Sequence, residues 1–293
     1  MISCILAFYI AGFSTRAAIA EAAGPLAPAL AQGQDADALY ARREDPASAR
    51  AAEQLWLAQL TAQPQNFDAA WKLARARYWR GSHAPNAEAK PILEAGIEAG
   101  RAAAALRPER PEGHFWMAAN MGALAESFGM RQGLKYRGAI RDSLLTVLKL
   151  APAFQQGSAD RALGRWYYKV PGLFGGSKTR SEAHLRRSLT YAPQSTASHF
   201  FLAETLFAMG RDTEARDELQ RVLDAPIEPD WGPEDREFKL RALARLRTRE
   251  IPSSNPKSQA TRKLHLPNGS DNPRSPWNLE LGAWDFAATT RPR

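Results

Sequence analysis

The stretch from Phe201 to Pro226, FLAETLFAMGRDTEARDELQRVLDAP, decides the fold. Its apolar residues recur at helical spacing on both sides of Gly210, which predicts two helices joined by a tight turn. The small residues Ala203 and Ala215 let these helices approach closely, while leucines fill the space between them. The closing proline ends the second helix. The stretch therefore predicts an antiparallel helical hairpin.

The same pattern recurs upstream, over residues 70–74, 114–118 and 160–164. The small residues Ala74, Ala118, Gly164 and Ala203 are spaced 44, 46 and 39 residues apart. A second helix without a first, at about 47–62, opens the array, and an amphipathic helix at about 233–249 closes it. Val, Ile and Thr are sparse, and no run alternates with period two, so we expect no strands.

These hairpins resemble tetratricopeptide repeats (TPRs). Leu202-Ala203 matches the Leu-Gly pair of the motif, Leu206 its Tyr position, and Ala215 and Leu219 the Ala and Phe positions of the second helix. The standard period is about 34 residues, so we expect extra residues between the helices of each repeat here. The resemblance implies an all-α, TPR-like helical-hairpin solenoid with about four long repeats, a capping helix and a disordered C-terminal tail.

Two segments carry a narrower resemblance: residues 163–178, LGRWYYKVPGLFGGSK, and residues 114–122, HFWMAANMG. Together they resemble the T-component family of TRAP transporters, the TatT-like periplasmic TPR proteins. That resemblance implies association with a solute-binding protein for small organic ligands. It also implies a homo-oligomer, because some members form ring-shaped trimers with a central pore.

The chain divides into three parts: residues 1–31, a signal peptide and short linker; 32–250, the solenoid; and 251–293, a tail rich in Pro, Ser and Asn that is largely disordered. The apolar run Met1–Phe13 is too short to span a bilayer, which needs about 20 residues. Small-residue cleavage patterns precede Glu21 and Gln32. We therefore expect export to the periplasm. The alternative is a buried N-terminal helix in a cytoplasmic protein. In the tail, two tryptophans and a phenylalanine at 277–286 predict docking onto the solenoid or a partner.

The 293 residues carry a net charge of +8, and the excess is local. Residues 131–190 hold 12 basic and 3 acidic side chains. Such a local patch does not indicate nucleic-acid binding. It attracts an anionic ligand, a phospholipid headgroup or an acidic partner, or it forms a solvated face.

The first helices of stacked repeats line the concave face, and counting from the small residues gives the side chains that point inward. The predicted groove residues are Trp71, Arg75, Tyr78, Trp79, Phe115, Arg161, Arg165, Tyr168, Lys169, Phe200, Glu204 and Phe207. Aromatic and arginine side chains are common anchors of recognition. We expect a groove with aromatic walls that binds a peptide segment or a small carboxylate, with Arg165 and Lys169 holding the negative charge. The alternative is that the aromatic side chains form inter-repeat core.

The sequence lacks the patterns of several enzyme and metal classes. The single cysteine excludes an internal disulfide, and the five histidines lack zinc-binding spacing. Residues 172–179, GLFGGSKT, lack the Gly before Lys-Ser/Thr of a phosphate-binding loop, and Ser177 instead caps the next helix. We therefore expect no cofactor, no metal and no catalytic residues.

The sequence predicts a non-enzymatic TPR scaffold of the bacterial cell envelope. Its narrower form is an accessory of a TRAP-type solute transport system that binds a partner protein or a small anionic ligand. One alternative is a general protein–protein interaction scaffold, periplasmic or cytoplasmic, unrelated to transport. A second alternative is a hydrolase, for which the sequence shows no cluster of titratable groups.

Overall fold

The structure, a computed structural model, describes residues 35–250. This part of the chain forms α-helices and two short 3-10 helices, at Gly172–Phe174 and Pro229–Trp231, and no strands. The α-helices are α1 (Ala36–Ala41), α2 (Pro46–Ala62), α3 (Phe67–His83), α4 (Asn86–Leu106), α5 (Pro111–Ser127), α6 (Met130–Leu150), α7 (Phe154–Lys169), α8 (Lys178–Tyr191), α9 (Thr196–Ala208), α10 (Asp212–Asp224) and α11 (Gly232–Glu250). The predicted all-α architecture is confirmed.

Side-chain caps explain where several helices begin. Asp45 accepts hydrogen bonds from the backbone N–H groups of the first turn of α2, and a proline occupies the first helical position. Asn66 caps α3 in the same way. Ser177 accepts from the N–H of Arg180 at the start of α8, as the sequence predicts. Each of these short polar residues caps the helical turn that follows it directly, so these helix starts can be predicted from the sequence.

The helices form a two-layered solenoid of hairpins. The pairs α3–α4, α5–α6, α7–α8 and α9–α10 are antiparallel hairpins, and each second helix also packs against the next first helix. The first helices α3, α5, α7, α9 and α11 contact one another in order and form the inner layer. The helix α2 opens the array with α1 packed against it, and α11 closes it.

The long period arises mainly inside the second helices. Both α4 and α6 contain 21 residues, and only Ala84 and Pro85 separate α3 from α4. The expectation that extra residues lie between the helices of each repeat is therefore wrong for the first repeats. It holds for α7 and α8, which the 3-10 helix at Gly172–Phe174 separates.

Small residues set the distances between helices. Ala203 and Ala215 are fully buried where α9 and α10 cross. A Cβ at Gly100 of α4 would lie 2.6 Å from the backbone nitrogen of Met117 in α5, so the two helices touch backbone to backbone. Gly210 adopts a φ of 76° in the turn after α9, a conformation that glycine accepts without steric cost. Among residues 35–250, no helix is both long enough and apolar enough to span a membrane.

Candidate binding site

A cavity of about 730 Å³ lies on the concave side of the solenoid. Its walls come from the inner helices α3, α5 and α7, and from parts of α6, α9 and α11. Its size falls within the range of about 300–1,000 Å³ that is typical of small-molecule sites. The cavity is the natural place to look for a ligand, because the inner layer of a solenoid forms its concave binding surface.

Aromatic side chains form rigid walls of the cavity. Phe115 packs edge to face against Phe154, with ring centroids 5.6 Å apart, and Tyr78 is tilted against Trp116 at the same separation. The indole nitrogen of Trp79 donates to the carbonyl of Arg43 at 2.7 Å. These contacts fix the rings before any ligand arrives, which lowers the entropy cost of binding.

The last helix, α11, bounds one side of the cavity and contacts the turn between α1 and α2. Arg43, in the turn between α1 and α2, is 5% exposed and forms an ion pair with Glu234 of α11, 191 residues away in sequence. It also donates to the carbonyl of Asp230 at 3.0 Å. An exposed pair, Arg236 with Glu44, joins the same two segments. The capping helix therefore bridges the two ends of the solenoid, and its side chains line the cavity.

One charged cluster in the cavity is internally compensated. Arg165 of α7 donates to both carboxylate oxygens of Glu126 in α5, at 3.1 and 3.2 Å, and to Glu204 of α9. Burial alone would lower the pKa of Arg165, but the two carboxylates outweigh it and raise the pKa. Burial would raise the pKa of Glu204, but the neighbouring guanidinium groups hold it below its usual value. Arg165 already has the acidic partners that a ligand would otherwise supply.

A second arginine, Arg161, lies one helical turn earlier on α7 and also lines the cavity. Its guanidinium carbon lies 5.7 Å from the ring centroid of Trp231. Burial lowers its pKa to about 10, against the opposing fields of Tyr78, Asp235 and Glu234. The group therefore still carries its charge at neutral pH.

The structure brings half of the predicted groove residues to the cavity. The side chains that line it are Tyr78, Trp79, Phe115, Arg161, Arg165 and Lys169. The side chains that do not line it are Trp71, Arg75, Tyr168, Phe200, Glu204 and Phe207. In the second group, Phe200 and Phe207 are buried core residues. For these two side chains the alternative, that the aromatic residues form core, describes the structure better.

The residues outside the cavity have clear structural contacts. The guanidinium carbon of Arg75 lies 4.1 Å from the ring centroid of Tyr40, a contact that joins α3 to α1. Phe200 is buried against Phe238 of α11, with ring centroids 5.5 Å apart. These contacts involve α1 and α11, whose positions the repeat pattern does not define.

Counting along the helices from the small residues does not identify several of the side chains that line the cavity. Phe201 lines the cavity where the sequence pattern points to Phe200, a difference of one residue, or about 100° around the helix. Glu126 lies about three helical turns after the predicted groove residue Phe115, so helical spacing could have identified it. Trp231 and Phe238 carry no repeat signal, because they lie beyond the last hairpin.

His114 and His199 each lie four residues before the small residue of their repeat, Ala118 and Ala203, and their rings have a similar contact. A ring nitrogen of His114 contacts the carbonyl of Pro108 at 3.0 Å, and one of His199 contacts that of Pro193 at 2.8 Å. Both contacts join a first helix to the end of the preceding second helix. Within residues 35–250, no group of three or more His, Cys, Asp or Glu side chains is arranged to hold a metal ion.

Comparisons with known proteins agree with the fold. The crystal structure of TTC0263, a thermophilic TPR protein in Thermus thermophilus, superposes with a TM-score of 0.54 at 20% identity, covering 75% of this chain and 98% of that one. This similarity shows that the chain has a TPR-type helical fold, as its sequence predicts. The crystal structure of MamA gives a TM-score of 0.41 at 14% identity, covering 68% of this chain and 95% of that one.

A family model described as regulator of microtubule dynamics protein 1-3 matches residues 33–174. This match spans the first hairpins and ends at the 3-10 helix that follows α7, somewhat short of half the chain. No curated protein matches the sequence.

Proposed function

We propose that the protein is a non-enzymatic TPR binding module that holds an apolar part of a partner protein in its concave cavity. The cavity carries this proposal, because it is large, has aromatic walls and is bounded on one side by the last helix, α11. A TPR solenoid offers its inner layer to ligands, and apolar pockets with a few polar groups are typical binding sites.

Glycine positions in the helices allow a sharp test. A Cβ at Gly122 would meet no atom within 4 Å, and Gly122 lines the cavity. The substitution Gly122→Phe would therefore fill the cavity without a clash at its first atom. Gly138 of α6 also has open space around it but does not line the cavity, so Gly138→Phe is a matched control.

The experiment is affinity capture from native cell extract with all three forms of the full chain. We expect the wild type and Gly138→Phe to capture the same partner, and Gly122→Phe to lose it. The partner is then purified and its affinity for each form is measured. Equal affinity for Gly122→Phe and the wild type would show that the cavity is not the binding site.

We also propose the narrower cellular role, a periplasmic accessory of a TRAP-type transport system. Its support is the resemblance of residues 114–122 and 163–178, together with the apolar run at Met1–Phe13. Determination of the N-terminus of the mature protein tests the location. A start near Glu21 or Gln32 with a captured solute-binding protein supports this role. An uncleaved chain with cytosolic partners favours the general interaction scaffold instead.

A further inference from the structure

Arg161 is an unusual side chain in this cavity. Its guanidinium lies beside the ring of Trp231, and Tyr78 and Phe115 line the same cavity. Between residues 35 and 250, no carboxylate, carbonyl or hydroxyl accepts a hydrogen bond from Arg161, and no ion pair includes it. Arg165, one turn away, is bound by two carboxylates.

Glu234 and Asp235 act electrostatically on Arg161, but both carboxylates accept hydrogen bonds from other groups. Glu234 accepts from Arg43, with Nε to Oε1 at 3.2 Å. Asp235 accepts from the hydroxyl of Thr196 and, at 2.9 Å, from the backbone N–H of Glu228. Both carboxylates hold α11 and the segment before it in place. They contribute charge near Arg161 but no contact with it.

Arg161 is partly buried, and its N–H donors have no acceptor within residues 35–250, so a ligand that enters the cavity can reach them. Its five N–H donors match the two oxygens of a carboxylate, which they bind bidentately. Because Arg161 lies beside Trp231 and shares the cavity with Phe115 and Phe201, a fitting ligand carries its apolar group and its negative charge close together. The hydroxyl of Tyr78, which also lines the cavity, offers one more donor to the same anion.

We propose that Arg161 binds the free α-carboxylate of a partner protein's C-terminal residue, whose apolar side chain packs against Phe115 and Phe201. A chain end suits this site, because its α-carboxylate is attached to the same Cα as the terminal side chain and so presents a negative charge next to an apolar group. This proposal rests on the proposed function, since it names the chemical group that the same cavity recognises.

The probe is a minimal C-terminal residue, dansyl-L-phenylalanine, compared with its amide, in which the carboxylate is neutral. Fluorescence titration of the full chain gives both affinities. We expect the wild type to bind the acid roughly tenfold to a hundredfold more tightly than the amide, as a charge-assisted hydrogen-bonded pair implies. Arg161→Met should abolish this preference while affinity for the amide changes less than about twofold.

Two further variants separate charge from structure. Arg161→Lys keeps a cation and should restore part of the preference for the acid. Arg180→Met removes an exposed cation outside the cavity and should change neither affinity. Thermal melting of each variant shows that it is folded.

The outcomes distinguish the two proposals. Binding of both probes with equal affinity, or an unchanged preference in folded Arg161→Met, overturns the carboxylate site and leaves the cavity as a binding site. Absence of binding by either probe, or binding that Gly122→Phe leaves unchanged, overturns both proposals.

Discussion

The buried ion pair that closes the solenoid gives the sharpest prediction, through the substitution Arg43→Met. Arg43 is 5% exposed and Glu234 is 24% exposed. Methionine retains much of the side-chain volume but leaves the carboxylate without its partner. Breaking a fully buried pair costs about 3–5 kcal/mol. Because Glu234 keeps some contact with water, we expect a loss of about 2–3 kcal/mol.

The same interface contains its own control. Arg236 and Glu44 also join α11 to the turn between α1 and α2, but their side chains are 50% and 52% exposed. An exposed pair of this kind contributes little to stability, because water and salt screen the attraction between its charges. Arg236→Met should therefore have little effect, although it removes the same charge from the same contact.

Native-state hydrogen exchange of α11 is the assay, because repeat proteins open locally and a single melting temperature would average over the chain. The expected loss corresponds to roughly 30-fold to 150-fold faster exchange in α11 of Arg43→Met. Exchange in α3 to α6 should change much less. Unchanged exchange in α11, or equal acceleration by Arg236→Met, would refute the view that the buried pair holds this helix.

Three further predictions concern stability. Leu144→Ala should lower the free energy of unfolding by about 2–5 kcal/mol, and Leu145→Ala by less than about 1 kcal/mol in the same urea titration, because Leu144 is 2% exposed and Leu145 is 45% exposed. Gln156 adopts a φ of 60°, so Gln156→Gly should stabilise the protein by about 1 kcal/mol, and a lower urea midpoint would contradict the assigned conformation. Arg165 and its neighbours hold the pKa of Glu204 below its ordinary value near 4.5. The Glu204 carboxylate therefore contributes its full stabilisation above pH 4.5, and this contribution is lost as the pH falls through the lowered pKa. The difference in unfolding free energy between wild type and Glu204→Gln should shrink on acidification. A difference that stays constant from pH 7 to pH 3 would contradict the lowered pKa.

Much of the fold can be read from the sequence because its signals are local. The pairing of Ala203 with Ala215 across a hairpin, the left-handed turn at Gly210 and the cap at Ser177 each involve residues within a dozen or so positions. Helix formation and hairpin packing depend on such short-range spacing. The four hairpins and the two flanking helices follow from it.

The candidate site is less predictable, because it depends on how the repeats are rotated against one another. Each small rotation adds to the last, so the position of α11 relative to Arg43 reflects the sum over all repeats. Whether Phe200 or Phe201 faces the cavity depends on the same rotation, since one residue changes the direction by about 100°. Repeat spacing in the sequence does not reveal the total rotation that accumulates between the first and the last helix.

The sequence by itself determined an array of helical hairpins and the set of aromatic and basic residues on its inner helices. Only the tertiary structure decided which of those cations are compensated. Arg165 meets Glu126 and Glu204, each 39 residues away, while Arg161 meets neither. The physical reason is that ion pairing requires contact within about 4 Å, and such contacts between repeats depend on superhelical geometry rather than on local spacing.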